Sequence, residues 1–374
     1  MKIKKMGTKC KVLIVGQTPP PYGGQAMMIK YLVDHKFQQI ETYHVRMCFS
    51  RGFNERGKFS LYKVIHIFAI ILNIWLHRIK YKTNILYYPP SSSPKVAVIR
   101  DGIILLFTRF LFKKTIYHFH AAGISEELPK YNKVLQKIIF KIIKSPDVAI
   151  TSSIYNPKDG EFINAKKNVI IPLGIPDLNT LEERKLYAPH KYITILFMGL
   201  LNSTKGEGYV LDAVHLLSEQ GYDIHLNIAG RFESSEYETD FNKRIEQYGL
   251  VDKVSYRGVV TGEDKKNLFL ESDIFCFPSF FNSESFGIVL LEGMMYQMPL
   301  IASKWRGIQS VVEENKNGFL VDVKNAQQIA YCIRKFYNNR SLIETMGRES
   351  RNIFKQKYEI RNYLNAIENS IINS

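Results

Sequence analysis

Residues 275–322 read FCFPSFFNSESFGIVLLEGMMYQMPLIASKWRGIQSVVEENKNGFLVD, and the order of element types around this stretch decides the fold. Ile274 to Phe277 is wholly apolar and reads as a buried strand. Pro278 and Ser279 open a turn. A helix is expected from near Ser285, with Ile288, Leu291, Met294 and Met295 on one face and a stop before Pro299. Glu284 stands just before the first turn, and Glu292 follows eight residues later, about two turns along. The first N–H groups of a helix have no partner inside it, so strand, turn and helix together make an anion site that suits a diphosphate. Carboxylates beside such a site suit the hydroxyls of a sugar.

Moving outward, the second half alternates strands and helices. Strands are expected at 192–198, 223–229 and 254–257, and helices at 209–220, 263–271, 327–337 and 341–357. That spacing implies a parallel, doubly wound sheet. Between the first strand and helix runs Gly199-Leu200-Leu201-Asn202-Ser203-Thr204-Lys205-Gly206, and Gly230-Arg231 ends the next strand.

The first half repeats the alternation. KVLIVG (11–16) is a strand, followed by Gln17-Thr18-Pro19-Pro20-Pro21-Tyr22-Gly23-Gly24 and a helix from Ala26. Glycine leaves room for a phosphate or sugar to approach the backbone. The G-x-G-x-x-G fingerprint is absent, which argues against an ordinary NAD site. An apolar helix with basic ends spans 59–80, and NILYY (84–88) is the next strand. The loop Pro89 to Pro94, containing Ser91 and Ser92, leads into a helix carrying Arg100. KTIYHFH (114–120) is a strand whose His118 and His120 point to one face. Residues 130–144 form an amphipathic helix, with Val134, Leu135, Ile138, Ile139, Ile142 and Ile143 on an apolar stripe and five lysines off it. That stripe packs into the domain or lies on an anionic membrane. Strands at 147–151 and 168–171 close the half.

A chain of 374 residues exceeds one ordinary core, so two domains are expected. Residues 1–180 hold 28 Lys+Arg and 10 Asp+Glu, or +18; the remainder holds 23 and 25, or −2, for the total of +16. The basic half calls for an anionic partner, such as a membrane leaflet or an anionic substrate. Cys10, Cys48, Cys276 and Cys332 are scattered without metal-binding spacing, which fits a reducing compartment and no structural zinc. The apolar run at 61–76 falls short of ~20 residues and contains Lys63, His66 and Asn73, so it is a poor membrane span. A cytoplasmic protein, peripheral at the inner face of a membrane, is expected.

The run Pro278-Ser279, Glu284-Ser285-Phe286-Gly287, Glu292-Gly293-Met294, Pro299-Leu300-Ile301-Ala302, Gly307-Ile308 and Asn317-Gly318-Phe319 resembles the donor-site signature of the retaining glycosyltransferases of family 4, including their E-x7-E motif. Pro172-Leu173-Gly174-Ile175-Pro176-Asp177 is similar to that family's interdomain turn, with leucine for asparagine. The resemblance implies an α/β protein of GT-B fold: two Rossmann-like doubly wound parallel-sheet domains facing across a cleft. It places an acceptor-side domain at 1–178, a nucleotide-sugar domain at 190–357, and a last helix at 358–374 crossing back to the first domain. The activity implied is retaining transfer of a hexosyl group from a nucleotide-diphosphate sugar to a glycan or lipid-linked acceptor, in surface-polysaccharide assembly. No metal or other cofactor and no nucleic-acid partner are expected. Glu284, His120 and Lys205 take catalytic positions. Gly23, Gly24, Lys205, Arg231, Ser285, Phe286, Gly287 and Glu292 take donor-binding ones. His118, Ser91, Ser92 and Arg100 are weaker acceptor-side candidates. The family's arginine after the first glycine of the second half is Leu200 here, which leaves Lys205 alone or Arg231 as its substitute. Two other functions fit fewer of these residues: a nucleotide-sugar epimerase or hydrolase of the same fold, and a non-catalytic basic protein binding membrane or nucleic acid.

Overall fold

The computed structural model describes residues 9–49, 61–179 and 191–373. Residues 180–190, which include most of the stretch between the two expected domains, lie outside the described residues, as do residues 59 and 60 of the expected apolar helix. The chain divides into one unit of Met1–Leu173 with Arg361–Ser374 and a second of Gly174–Ile360.

The first unit is a six-stranded sheet of β1 (Cys10–Gly16), β2 (Ile40–Arg46), β3 (Ile85–Tyr88), β4 (Lys114–Phe119), β5 (Val148–Thr151) and β6 (Lys167–Ile170), in the order β2-β1-β3-β4-β5-β6. Every pairing is parallel. Val12, Leu13, Ile85 to Tyr88 and Ile116 to Phe119 are buried, as strands covered by helices on both faces must be. The sequence reading did not single out β2. Its Glu41, Tyr43 and Arg46 are partly or fully exposed, because β2 is an edge strand, so no continuous apolar run marks it. The last helix, Ile360–Ile372, buries Tyr363, Leu364, Ile367 and Ile371 in this unit. Its Glu368 carboxylate accepts the N–H groups of Gln39 at 2.6 Å and Ile40 at 3.3 Å, where β2 begins.

The second unit repeats the plan with β7 (Ile193–Met198), β8 (Ile224–Ala229), β9 (Val254–Tyr256), β10 (Ile274–Phe277), β11 (Leu300–Ser303) and β12 (Gly318–Val321), in the order β12-β11-β10-β7-β8-β9. The strand order reverses direction between β7 and β10, which pair directly through Ile195 and Ile274. Ligands of such sheets bind beyond the carboxyl ends of the strands at that reversal. Within this unit Arg351 donates to both carboxylate oxygens of Asp177, at 2.8 and 2.7 Å, and ties the unit's first residues to its last long helix.

The helix expected from Ser285 begins later, at Ile288–Met295. Gly287 has φ +75°, a left-handed conformation that interrupts the helical path and that glycine adopts without strain. Ser285 to Gly287 therefore belong to the turn, and Glu284 lies a full turn's length ahead of the helix.

Candidate active site

Two loops meet at the reversal point of the second sheet. One follows β7 and carries Lys205; the other follows β10 and carries Glu284. Asn202 Oδ1 accepts the N–H groups of Thr204 and Lys205, at 3.0 and 3.1 Å, and so shapes the first loop. The Phe280 N–H donates to the Thr204 carbonyl at 2.9 Å and fastens the second loop to the first. Gly206 allows this approach. Its φ is +95°, and a Cβ there would lie 2.5 Å from the Pro278 carbonyl oxygen.

The result is a salt bridge between Lys205 Nζ and Glu284 Oε2 at 2.6 Å, with the two side chains 15% and 13% exposed. Ser279 Oγ donates to the same carboxylate oxygen at 3.4 Å. The ammonium also lies 4.6 Å from the Phe281 ring centroid and 5.7 Å from that of Phe277. Such faces attract a cation. Trp305 Nε1 donates to the Phe281 carbonyl at 3.0 Å and holds that residue in place. A lysine and a carboxylate this close, at a sheet's carboxyl edge, offer one positive and one negative group to a ligand that carries both phosphate and hydroxyls.

Of the other expected donor residues in this unit, Arg231 follows β8. Its carbonyl accepts the Leu201 N–H at 2.9 Å, so Gly230-Arg231 runs beside Gly199-Leu200-Leu201. The basic residue is thus next to the strand end where leucine replaces the family's arginine. Phe286 is buried at 1% exposure and packs edge-on against Tyr358, so its side chain belongs to the core. Ser285 is buried as well. Glu292 directly follows the fully buried Leu290 and Leu291. It is half-buried and accepts from Lys265 Nζ at 2.6 Å. Lys265 sits on the Gly262–Glu271 helix, and no spacing in the sequence ties it to Glu292.

One group escaped the sequence reading altogether. Glu207, two residues past Lys205, is completely buried and accepts from the Tyr237 hydroxyl at 2.7 Å. Burial pushes its carboxyl up to about 7, against the lowering effect of the Tyr237 hydrogen bond.

In the first unit, the expected residues also gather at the carboxyl edge of the sheet. His120 follows β4 and stacks on His118, ring centroids 3.9 Å apart. His118 is fully buried, and its Nδ1 is hydrogen-bonded to the Tyr87 hydroxyl, so it presents no surface to an acceptor. Burial lowers both imidazoles, His118 with help from His120, and takes His120 down to about 3. The turn after His120 is pinned by Asp159, whose carboxylate accepts from the Gly123 and Ser125 N–H groups at 2.7 and 2.9 Å.

Gly23 and Gly24 are exposed where the Gly24–Asp34 helix begins. Nothing lies within 4 Å of a Cβ built on Gly23, so no contact inside the protein requires glycine there. The loop before it is held from β2: Arg46 Nη2 donates to the carbonyls of Pro20 at 2.7 Å and Thr18 at 3.2 Å. Arg46 lay on the edge strand that the sequence pattern did not reveal. Ser91 and Arg100 lie together, but their bonds run inward. Arg100 donates to Ser91 Oγ at 2.9 Å and to Asp101, which also accepts from the Tyr88 hydroxyl at 2.9 Å. Ser92 is fully buried.

Among the described residues no group of three or more His, Cys, Asp or Glu could hold a metal ion, and no helix is long and apolar enough to cross a membrane.

Two parallel, doubly wound sheets and a charged pair at a strand-order reversal set the terms for comparison with known proteins. Residues 179–353 match the family model of the glycosyl transferases group 1. It is 32% identical over 158 residues to the D-inositol 3-phosphate glycosyltransferase of Paenarthrobacter aurescens, covering 41% of this chain and only 38% of that relative. The O-antigen chain mannosyltransferase C of Escherichia coli is 24% identical over 264 residues, 68% of each chain. The solved structure of Anabaena HepE in complex with UDP and glucose superposes with a TM-score of 0.70 at 17% identity, over 98% of this chain and 100% of that one. The fold is GT-B.

Proposed function

We propose that this protein transfers a hexosyl group from a nucleotide-diphosphate sugar to a glycan or lipid-linked acceptor, with retention at the anomeric carbon, in surface-polysaccharide assembly at the cytoplasmic face of a membrane. The observation that carries this reading is the Lys205–Glu284 pair at the strand-order reversal of the second sheet. The relatives' part in polysaccharide synthesis and the UDP bound in HepE support it.

In the reaction the bond from the anomeric carbon to the diphosphate oxygen breaks, and a bond to the acceptor hydroxyl forms on the same face. The hydroxyl proton passes to the leaving phosphate oxygen. Negative charge grows on the diphosphate, and a fixed cation there stabilises the transition state. Lys205 supplies that cation, and Arg231 stands in for the arginine that Leu200 replaces. The Gly23-Gly24 amides add hydrogen bonds to the phosphates. Glu284 accepts from the hydroxyls of the transferred sugar and Glu292 from the ribose, with the Lys265 bridge holding the latter carboxylate in place. His120 is a neutral imidazole at neutral pH and acts near the sugar as a hydrogen-bonding group rather than as a charge.

A thermal-shift screen of nucleotide-diphosphate sugars tests the reading, because a ligand of the native state raises the melting temperature in proportion to the logarithm of its concentration. A rise with one donor and none with its free sugar is expected; no rise with any donor refutes it. Product analysis of the stabilising donor, with and without an acceptor glycan, separates transfer from epimerisation or hydrolysis.

A further inference from the structure

The helix Leu61–Tyr81 is apolar on opposite sides. Ile70 and Ile74 point into the core at 1% and 0% exposure. The other side carries Ile65, Phe68, Leu72, Trp75, Leu76 and Ile79, all exposed, with Phe68, Leu72 and Ile79 at 61%, 60% and 68%. At 100° per residue these six fall within an arc of about 100°, a ridge about 21 Å long. A helix apolar all round is normally enclosed.

The ridge continues sideways. Trp75 Nε1 donates to the Phe107 carbonyl at 3.0 Å, and the Trp75 ring lies edge-on to Phe110 at 5.8 Å. Leu106, Phe107 and Phe110, at the end of the Lys95–Thr108 helix and just past it, are exposed too. Beyond them, Arg109 donates to the carbonyls of Ile142 and Lys144, at 2.8 and 2.7 Å, and ties this corner to the Lys133–Ile143 helix. There the expected apolar stripe is only half used. Ile139 and Ile143 are buried, but Val134 and Ile138 stand in solvent at 69% and 50%. They share that outer side with the exposed Lys137 and Lys141. Contiguous apolar surface on this scale marks an interaction site.

Charge says what covers it. From residue 65 through residue 125 the only acidic residue is Asp101, and it is buried against Arg100 and Tyr88. Lys80, Lys82, Lys95, Lys113, Lys133 and Lys144 are exposed around the apolar surface. A second copy of the chain would bring like charges together, whereas an anionic bilayer offers hydrocarbon to the ridge and headgroup charge to the lysines.

We propose that the outer side of the Leu61–Tyr81 helix, with the Phe107–Phe110 corner and the Val134/Ile138 edge, inserts into the surface of an anionic lipid bilayer. This extends the proposed action on a lipid-linked acceptor by naming the surface that meets the membrane. Its test uses vesicles without donor or acceptor, so it can fail while the catalytic reading stands, and the reverse.

The full chain is sedimented with phosphatidylcholine vesicles, with and without phosphatidylglycerol, and Trp75 fluorescence is read in Trp305→Phe protein against brominated lipid. Binding to the anionic vesicles with quenching of Trp75 is expected. The double variant Leu72→Glu/Ile79→Glu changes only exposed positions and should keep the wild-type melt. It should partition at least about tenfold more weakly, roughly the factor for losing the burial of one such side chain. Single variants at either position serve as the check if the double variant melts early. Binding that is lost in salt with no quenching of Trp75 would overturn insertion. Equal binding to neutral vesicles would overturn the charge argument. A wild-type dimer that the glutamate variants convert to monomer, without vesicle binding, would assign the surface to a second copy instead.

Discussion

At the carboxyl edge of the first sheet two imidazoles lie stacked, the fully buried His118 and the partly buried His120; beside the second sheet's site stands the fully buried Glu207 carboxyl. Both are desolvated, yet the same physics moves them in opposite senses, because burial disfavours the charged form of each. His118 and His120 stay neutral far below the usual histidine range. Glu207 holds its proton up to about 7. The charge that the second site shows to a ligand comes instead from Lys205 and Glu284, which neutralise one another. One unit thus offers neutral hydrogen-bonding groups, and the other offers paired charge.

The largest effect that would break this contrast is on activity. Lys205→Ala and Glu284→Ala should each lower the rate of transfer by about 10³-fold, as the loss of a transition-state charge contact does. Because the pair is mostly shielded, either change leaves a partner unmatched. Each should therefore also lower the melt, and the double variant should lower it by less than the sum of the two. A double-mutant cycle on rate and melt checks both points.

Next in size is Gly206→Ala, which sets a Cβ against the Pro278 carbonyl in a left-handed conformation. Destabilisation of about 3 kcal/mol is expected in chemical denaturation. Lys205 should be displaced from Glu284 as well, so donor binding weakens even under conditions where the variant is folded.

The smallest effect is also the sharpest test of the comparison. Folded His118 and His120 are both depressed, so their contribution is full above about 6.5 and is lost as pH falls, for His120 towards about 3. Glu207 is raised from 4.5, so its contribution is full below that value and is lost as pH rises through about 7. Each group can tilt stability by up to about 1.4 kcal/mol per pH unit. The chain has two tryptophans, Trp75 in the first unit and Trp305 in the second. Trp305→Phe and Trp75→Phe variants, denatured with urea between pH 5 and 7, should show the first unit gaining stability with pH. Glu207→Gln should remove a falling component from the second unit alone.

Much of this was legible in the sequence. Strands with unbroken apolar runs, such as ITILFM at β7 and IFCF at β10, could be placed to within a residue or so, because a doubly covered parallel strand leaves no other pattern. Edge strand β2 was not legible, since half its side chains meet water. Lys205 and Glu284 could be named one at a time, but not as partners, because 79 residues separate them. The Lys265–Glu292 bridge and the burial of Glu207 have the same origin: both depend on packing between helices that no local spacing encodes. The start of the helix was misplaced because a glycine just past the expected start does not by itself reveal that its φ is positive, and only that left-handed backbone at Gly287 interrupts the helical path.

The position of the Ile360–Ile372 helix has a consequence for synthesis. The second unit is one continuous stretch, whereas the first lacks Tyr363, Ile367 and the Glu368 bonds to β2 until the final residues are made. A chain leaving the ribosome can therefore complete its later unit before its earlier one. A stop codon shortly before residue 360 would spare the second unit's sheet and leave the amino-terminal unit with an uncovered apolar seam, exposed to aggregation and proteolysis.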